Sequence, residues 1–145
     1  MTKKLALLAV IVLLTTGTSR AQGLDVIEIR QDGQSLLAGT FGAIRAVVAA
    51  KGDVKSVESP ARSMARWIQH FPALFPPGSD KGHDTKALPA IWTDKAGFQK
   101  AADDMAAASI KLADFAKAGD AEGVATQVKA VGDTCGACHR TFKAR

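Results

Sequence analysis

Residues 120–143 read DAEGVATQVKAVGDTCGACHRTFK, and their periodicity decides the fold. Val124, Val128, Val131, Cys135, Cys138 and Phe142 follow one another at spacings of four, three, four, three and four, a single stripe on an α-helix. Gly119 supplies a stop for the helix before it, and the Asp120 carboxylate a cap for this one. Both thiols therefore lie on the core-facing stripe, while His139, four residues after Cys135, projects beside them on the adjoining side. This arrangement suits a flat ligand inside a bundle. Thioether bonds from Cys135 and Cys138 to haem vinyl groups would fix one edge of the macrocycle, and the His139 imidazole would reach the iron from one face. Gly132 and Gly136 would let a porphyrin approach the helix backbone.

Three other chemistries share the motif. A thiol-disulfide oxidoreductase also uses Cys-x-x-Cys, but there the pair opens a helix after a strand, whereas here a long helical stretch precedes it. A zinc site needs four ligands, and beyond Cys135, Cys138 and His139 only His70, His83 or an acid is on offer. The cysteines also fit a purely structural role as small buried hydrophobes.

Outward from this helix, three more stretches show apolar residues three and four apart, and no stretch alternates as a strand does. The first covers about 24–50, with Ile27, Leu37, Phe41, Ile44 and Val48 inward and Gly52 at its end. The second carries Val57, Ala61, Met64, Ile68 and Phe71, with Ser59 and Pro60 suited to a late start. A proline- and glycine-rich segment from Pro72 to Trp92 reads as one long ordered loop. In the third, Thr93 is the expected cap and Phe98, Ala102, Met105 and Leu112 face inward. The predicted architecture is all-α, an antiparallel four-helix bundle.

Composition agrees. The 145 residues are 47% hydrophobic and 23% charged, with two cysteines and a formal charge of +5. Two cysteines are too few for a disulfide scaffold, and no apolar run reaches the roughly eighteen residues of a membrane span. Residues 1–21 read as a signal peptide: Lys3 and Lys4, ten apolar residues from Leu5 to Leu14, then Ser19-Arg20-Ala21 before the cleavage point. The expected mature domain is 22–145, exported to the periplasm. Removing Lys3, Lys4 and Arg20 lowers its charge to +2, with acids and bases interspersed, which argues against a nucleic-acid partner.

With these features assembled, the chain resembles the class II c-type cytochromes, the cytochrome c′ family. The likeness covers the whole of 22–145: four helices, a haem motif near the C-terminus, Arg30-Gln31 early in the first helix, Gly42-Ala43-Ile44, Gly78-Ser79-Asp80 ahead of Pro89-Ala90-Ile91-Trp92, and Phe142-Lys143 after the motif. The resemblance implies one covalently attached haem (heme c), with Arg30, Gln31, Ser79 and Asp80 lining it, Lys143 near its proximal side, and the sixth iron position empty. It also implies a homodimer through the first two helices.

The methionines bear on that vacancy independently. Only Met64 and Met105 remain beyond the signal segment, both on core stripes, and neither lies on the first helix, where low-spin relatives place their ligand. A five-coordinate iron is expected. One position departs from the family: four residues after Arg30, where an apolar residue or methionine is usual, stands Gln34. It falls on the inward stripe, so its amide needs a partner in the core edge or faces the vacant distal site. Arg30 is expected to pair with the haem propionates rather than reach for water. Trp67 and Trp92 read as core, Trp92 also suited to closing the loop. The expected function is one-electron transfer, with binding of small gases such as NO and CO, an unidentified redox partner protein, and no requirement for enzymatic catalysis. The alternative is the thiol-disulfide oxidoreductase.

Overall fold

A computed structural model describes residues 25–145. The expected signal peptide and its cleavage after Ala21 lie outside the described residues. Four long helices form the antiparallel bundle: α1 (Val26–Ala49), α2 (Glu58–His70), α4 (Lys95–Ala118) and α5 (Ala121–Phe142), with a one-turn helix α3 (Ala90–Thr93) ahead of α4. Short 3₁₀ turns at Val54–Val57 and Phe71–Leu74 flank α2.

Helix ends follow local chemistry. The Asp25 carboxylate accepts from the backbone of Ile27 at 2.8 Å and so opens α1. Gly119, in the left-handed conformation at φ 74°, ends α4, and Asp120 caps α5 through the Gly123 amide, both as expected. Two ends differ from expectation. At the end of α1 it is Lys51, at φ 51°, that takes the left-handed position, while Gly52 N–H returns to the Val47 carbonyl at 2.9 Å. α4 is capped by Asp94 rather than Thr93, because Thr93 closes α3 and its hydroxyl donates back to Pro89. α2 also starts before Ser59, directly out of the 3₁₀ turn, with Pro60 in its first turn.

The interior is organised around α4, which lies along both α2 and α5, whereas α1 meets its neighbours sparsely. The main cluster includes Ile44, Met64, Met105, Leu112, Val124 and Val131, all essentially sealed from water. A smaller one joins Ile91, Phe98 and Phe142 near the α5 C-terminus, with Phe71 packed against both. The loop after α2 is tied in by Trp92, whose Nε1 donates to the carbonyls of Phe75 (3.1 Å) and Pro76 (3.2 Å). Lys86–Leu88 then runs antiparallel to the end of the chain, with a bridge between Ala87 and Lys143.

Candidate functional site

Cys135 and Cys138 lie one turn apart on α5, half-buried and unpaired by any disulfide. Cys135 packs against the main cluster and Cys138 against the smaller one, so the pair sits where the two apolar regions meet. Burial pushes both thiols above their ordinary value. They also sit near the C-terminal, electronegative end of the helix, which disfavours thiolate further. A disulfide-exchange site needs the opposite, a lowered thiol pKa at a helix N-terminus. His139 follows on the exposed side, and partial desolvation together with nearby Lys143 holds its imidazole below the usual value, leaving it neutral and able to offer a lone pair. Among the described residues no three His, Cys, Asp or Glu side chains converge as a metal cage, so a zinc ligand set is not assembled.

Opposite the cysteines, α1 presents Ile27, Arg30, Gln34, Leu37, Phe41 and Ile44. Ile27, Arg30, Leu37 and Ile44 are buried, but Gln34 and Phe41 on the same stripe are only half-buried. α1 and α5 therefore meet less closely than α4 meets its neighbours, and this side of the interior is incompletely sealed. At one level Phe41 approaches Gly132 of α5, where a Cβ would stand 3.8 Å from the ring. Gly33 is bound by space rather than by torsion: any Cβ there would overlap the Trp67 ring. The Trp67 Nε1 is buried with no hydrogen-bond partner, an orphaned donor beside the same helix.

Arg30 closes the other side. Its guanidinium, 3% exposed, donates to the Leu74 carbonyl (3.3 Å), the Ser79 hydroxyl (3.0 Å) and carbonyl (2.6 Å) and the Thr85 hydroxyl (2.9 Å), and it stacks over Phe75 at 4.4 Å. It does not snorkel to water. Every partner is neutral, so a buried positive charge stands without a contacting anion. Gln31 donates to the His83 carbonyl at 2.8 Å, and the His83 ring reaches Asp25 (2.8 Å) and Glu28 (3.5 Å). Arg30 and Gln31 of α1 are thus brought against the loop that carries Ser79, whereas Asp80 is exposed. Thr85 and the Leu74 carbonyl escaped sequence reading, and His83, weighed there only as a zinc ligand, instead accepts from Gln31 through its carbonyl; all three are selected only when the loop folds back on α1.

The residues fit a covalently held haem. Neutral thiols in apolar surroundings match vinyl groups, the neutral imidazole matches iron, and the unclosed α1–α5 interior is bordered by an orphaned donor and an uncompensated cation, which suit a cofactor carrying carboxylates. The comparisons agree. A family model described as cytochrome c′ matches residues 25–143. Cytochrome c′ of Rubrivivax gelatinosus is 40% identical over 122 residues, covering 82% of this chain and 94% of that protein. Its crystal structure superposes with a TM-score of 0.74 at 38% identity, covering 83% and 95% of the two chains. A nitric oxide complex of a variant cytochrome c prime from Alcaligenes xylosoxidans gives a TM-score of 0.74 at 28% identity, covering 83% and 94%. A carbon monoxide-bound variant of that protein matches equally, at 0.74 and 28%, covering 83% and 95%. Fold, site chemistry and relatives converge: this chain belongs to the cytochrome c′ family, and its cofactor is one covalently attached haem c.

Proposed function

We propose that this protein is a periplasmic one-electron carrier, not an enzyme, whose iron also takes small gases such as NO and CO. Cys135 and Cys138 would hold the haem by thioether bonds, and His139 would ligate its iron. When bound, the haem would supply one-electron redox chemistry and an iron able to take a diatomic ligand.

The observation that carries this reading is the content of α1. The helix facing the Cys-x-x-Cys-His turn contains no methionine, histidine or cysteine. Met64 and Met105 are engaged in the core at 2% and 5% exposure, and His83 is occupied by Asp25 and Glu28. Among the described residues, Met64, Met105 and His83 are thus not free to compete with a gas for the distal position, and His70 is exposed at the end of α2. Arg30 and Ser79, bonded to each other, line the cofactor and hold the loop in place, with Gln31 and Asp80 at its margin. Gln34, half-buried on the inward stripe, is the polar group of the distal side.

Export rests on the charged and apolar pattern of residues 1–21; no helix among the described residues is long and apolar enough to cross a membrane. Pairing of two copies through α1 and α2 is carried over from the family resemblance, and Leu36, 72% exposed on α1, is the large apolar side chain such a contact would cover. The test is the absorption spectrum of the reduced holoprotein with and without carbon monoxide. A high-spin spectrum that converts fully on gas addition is expected. A six-coordinate, low-spin spectrum indifferent to carbon monoxide would overturn the vacant-site reading.

A further inference from the structure

The end of α5 gathers positive charge. From Thr134 to Arg145 the chain carries Arg140, Lys143 and Arg145 and no acidic side chain. Lys86 is brought to the same place from the loop: the Ala144 amide donates to the Lys86 carbonyl at 2.8 Å, the Leu88 amide to the Phe142 carbonyl at 3.0 Å, and Ala87 bridges Lys143. All four cations are exposed, as is His139 among them. None enters an ion pair among the described residues. Elsewhere Arg62 pairs with Glu58 and Asp114 and Lys100 with Asp104; the remaining cations among the described residues are also unpaired, but along the chain they are interspersed with acidic residues. Of the acids at this end of the bundle, Asp25 and Glu28 lie against the His83 ring, and Asp84 stands two residues before Lys86 on the loop.

We propose that this cationic face around His139, formed by Lys86, Arg140, Lys143 and Arg145, is the docking surface for a redox protein that presents a cluster of carboxylates. It rests on the electron-transfer reading above and adds the partner's chemistry and the point of exchange. Residues 25–145 carry 16 basic and 14 acidic side chains, a net +2 that would steer little if evenly spread. Four uncompensated cations on one face act locally, over a Debye length of about 8 Å at physiological salt and about 30 Å in dilute buffer. They surround the turn that bears Cys138 and His139, so steering and electron exchange share one site. Charge arranged in this way raises the association rate and fixes orientation more than it deepens affinity.

The test uses two small oxidants on the reduced holoprotein, triply anionic hexacyanoferrate(III) and triply cationic tris(phenanthroline)cobalt(III). Each takes one electron from the ferrous protein, the reagent's metal passing from the +3 to the +2 state, with no bond or proton transferred. In dilute buffer, Lys143→Glu with Arg145→Glu should slow the anionic reagent at least about tenfold and speed the cationic one. Lys55→Glu with Lys117→Glu makes the same change in net charge at the opposite end of the bundle and should alter either rate less than about twofold. A changed reduction potential moves both reagents the same way, so opposite responses identify the surface. Equal effects from the two double variants, or parallel responses to the two reagents, overturn the docking face while leaving electron transfer intact. Failure of both reagents to oxidise the wild-type protein removes the electron-transfer reading, and this one with it.

Discussion

The two sides of the bundle are closed by different means. Where α4 lies between α2 and α5, protein fills the interior: Ala61, Leu112, Ala113, Ala116, Val124 and Val131 are 0% exposed. Where α1 faces α5, the inward stripe alternates buried and half-buried residues, and polar groups enter it, namely Arg30, Gln34 and the unpartnered Trp67 donor. One side stores the stability of the fold. The haem, held as proposed above, would complete the other. A group bound only by the native state adds its binding energy to folding, so the loose side should depend on the haem and the tight side should not.

Removing the attachment makes the largest difference between them. With Cys135→Ser and Cys138→Ser together, the haem should be extractable and α1 should lose most of its amide protection in hydrogen exchange, while α4 retains much of its own. Equal loss in α1 and α4 would deny that the two sides differ. Next in size, Leu112→Ala on the sealed side should cost about 2–5 kcal/mol, read as a lower denaturation midpoint, with the haem spectrum unchanged. A spectral change of the size seen on ligand binding would show the sides to be coupled.

Gln34→Leu probes the loose side with a smaller energy but a functional readout. Stability should move by less than about 1.5 kcal/mol, because a half-buried amide is exchanged for a side chain of similar volume. The dissociation rate of carbon monoxide should change several-fold, and an unchanged rate would remove Gln34 from the distal side. The smallest effect concerns the loop clasp at the N-terminus of α1. The Ile27 amide, then that of Glu28 and the charge of His83, hold the Asp25 carboxyl below its ordinary value of 3.8. A depressed carboxyl stabilises the fold above its unfolded value and ceases to as pH falls through the lower, folded one. Amide exchange at Ile27 should therefore accelerate, relative to the α4 interior, as pH falls below about 4; parallel behaviour would mean that the cap contributes nothing.

The sealed side is also the side that sequence made legible. Its stripes recur at three and four residues, and Gly119-Asp120 announces one helix end and the next helix start, since both signals are local. The loose side was legible only at Cys135, Cys138 and His139, whose spacing has chemical meaning within one helix. Arg30 places its four hydrogen bonds on Leu74, Ser79 and Thr85, between 44 and 55 residues away. No window of sequence contains such a contact. The left-handed Lys51 and the one-turn helix α3 differ from expectation for local reasons: the turn that closes α1 falls one residue before Gly52, and Thr93 bonds back to Pro89 instead of capping α4.

The central claim is that one segment of α5 carries the cofactor covalently. Tryptic digestion of the purified holoprotein should yield the peptide 130–140, containing Cys135, Cys138 and His139, with the mass of one haem added and no free thiol. The same peptide found with two alkylatable thiols, or with an internal disulfide and no added mass, would contradict the account.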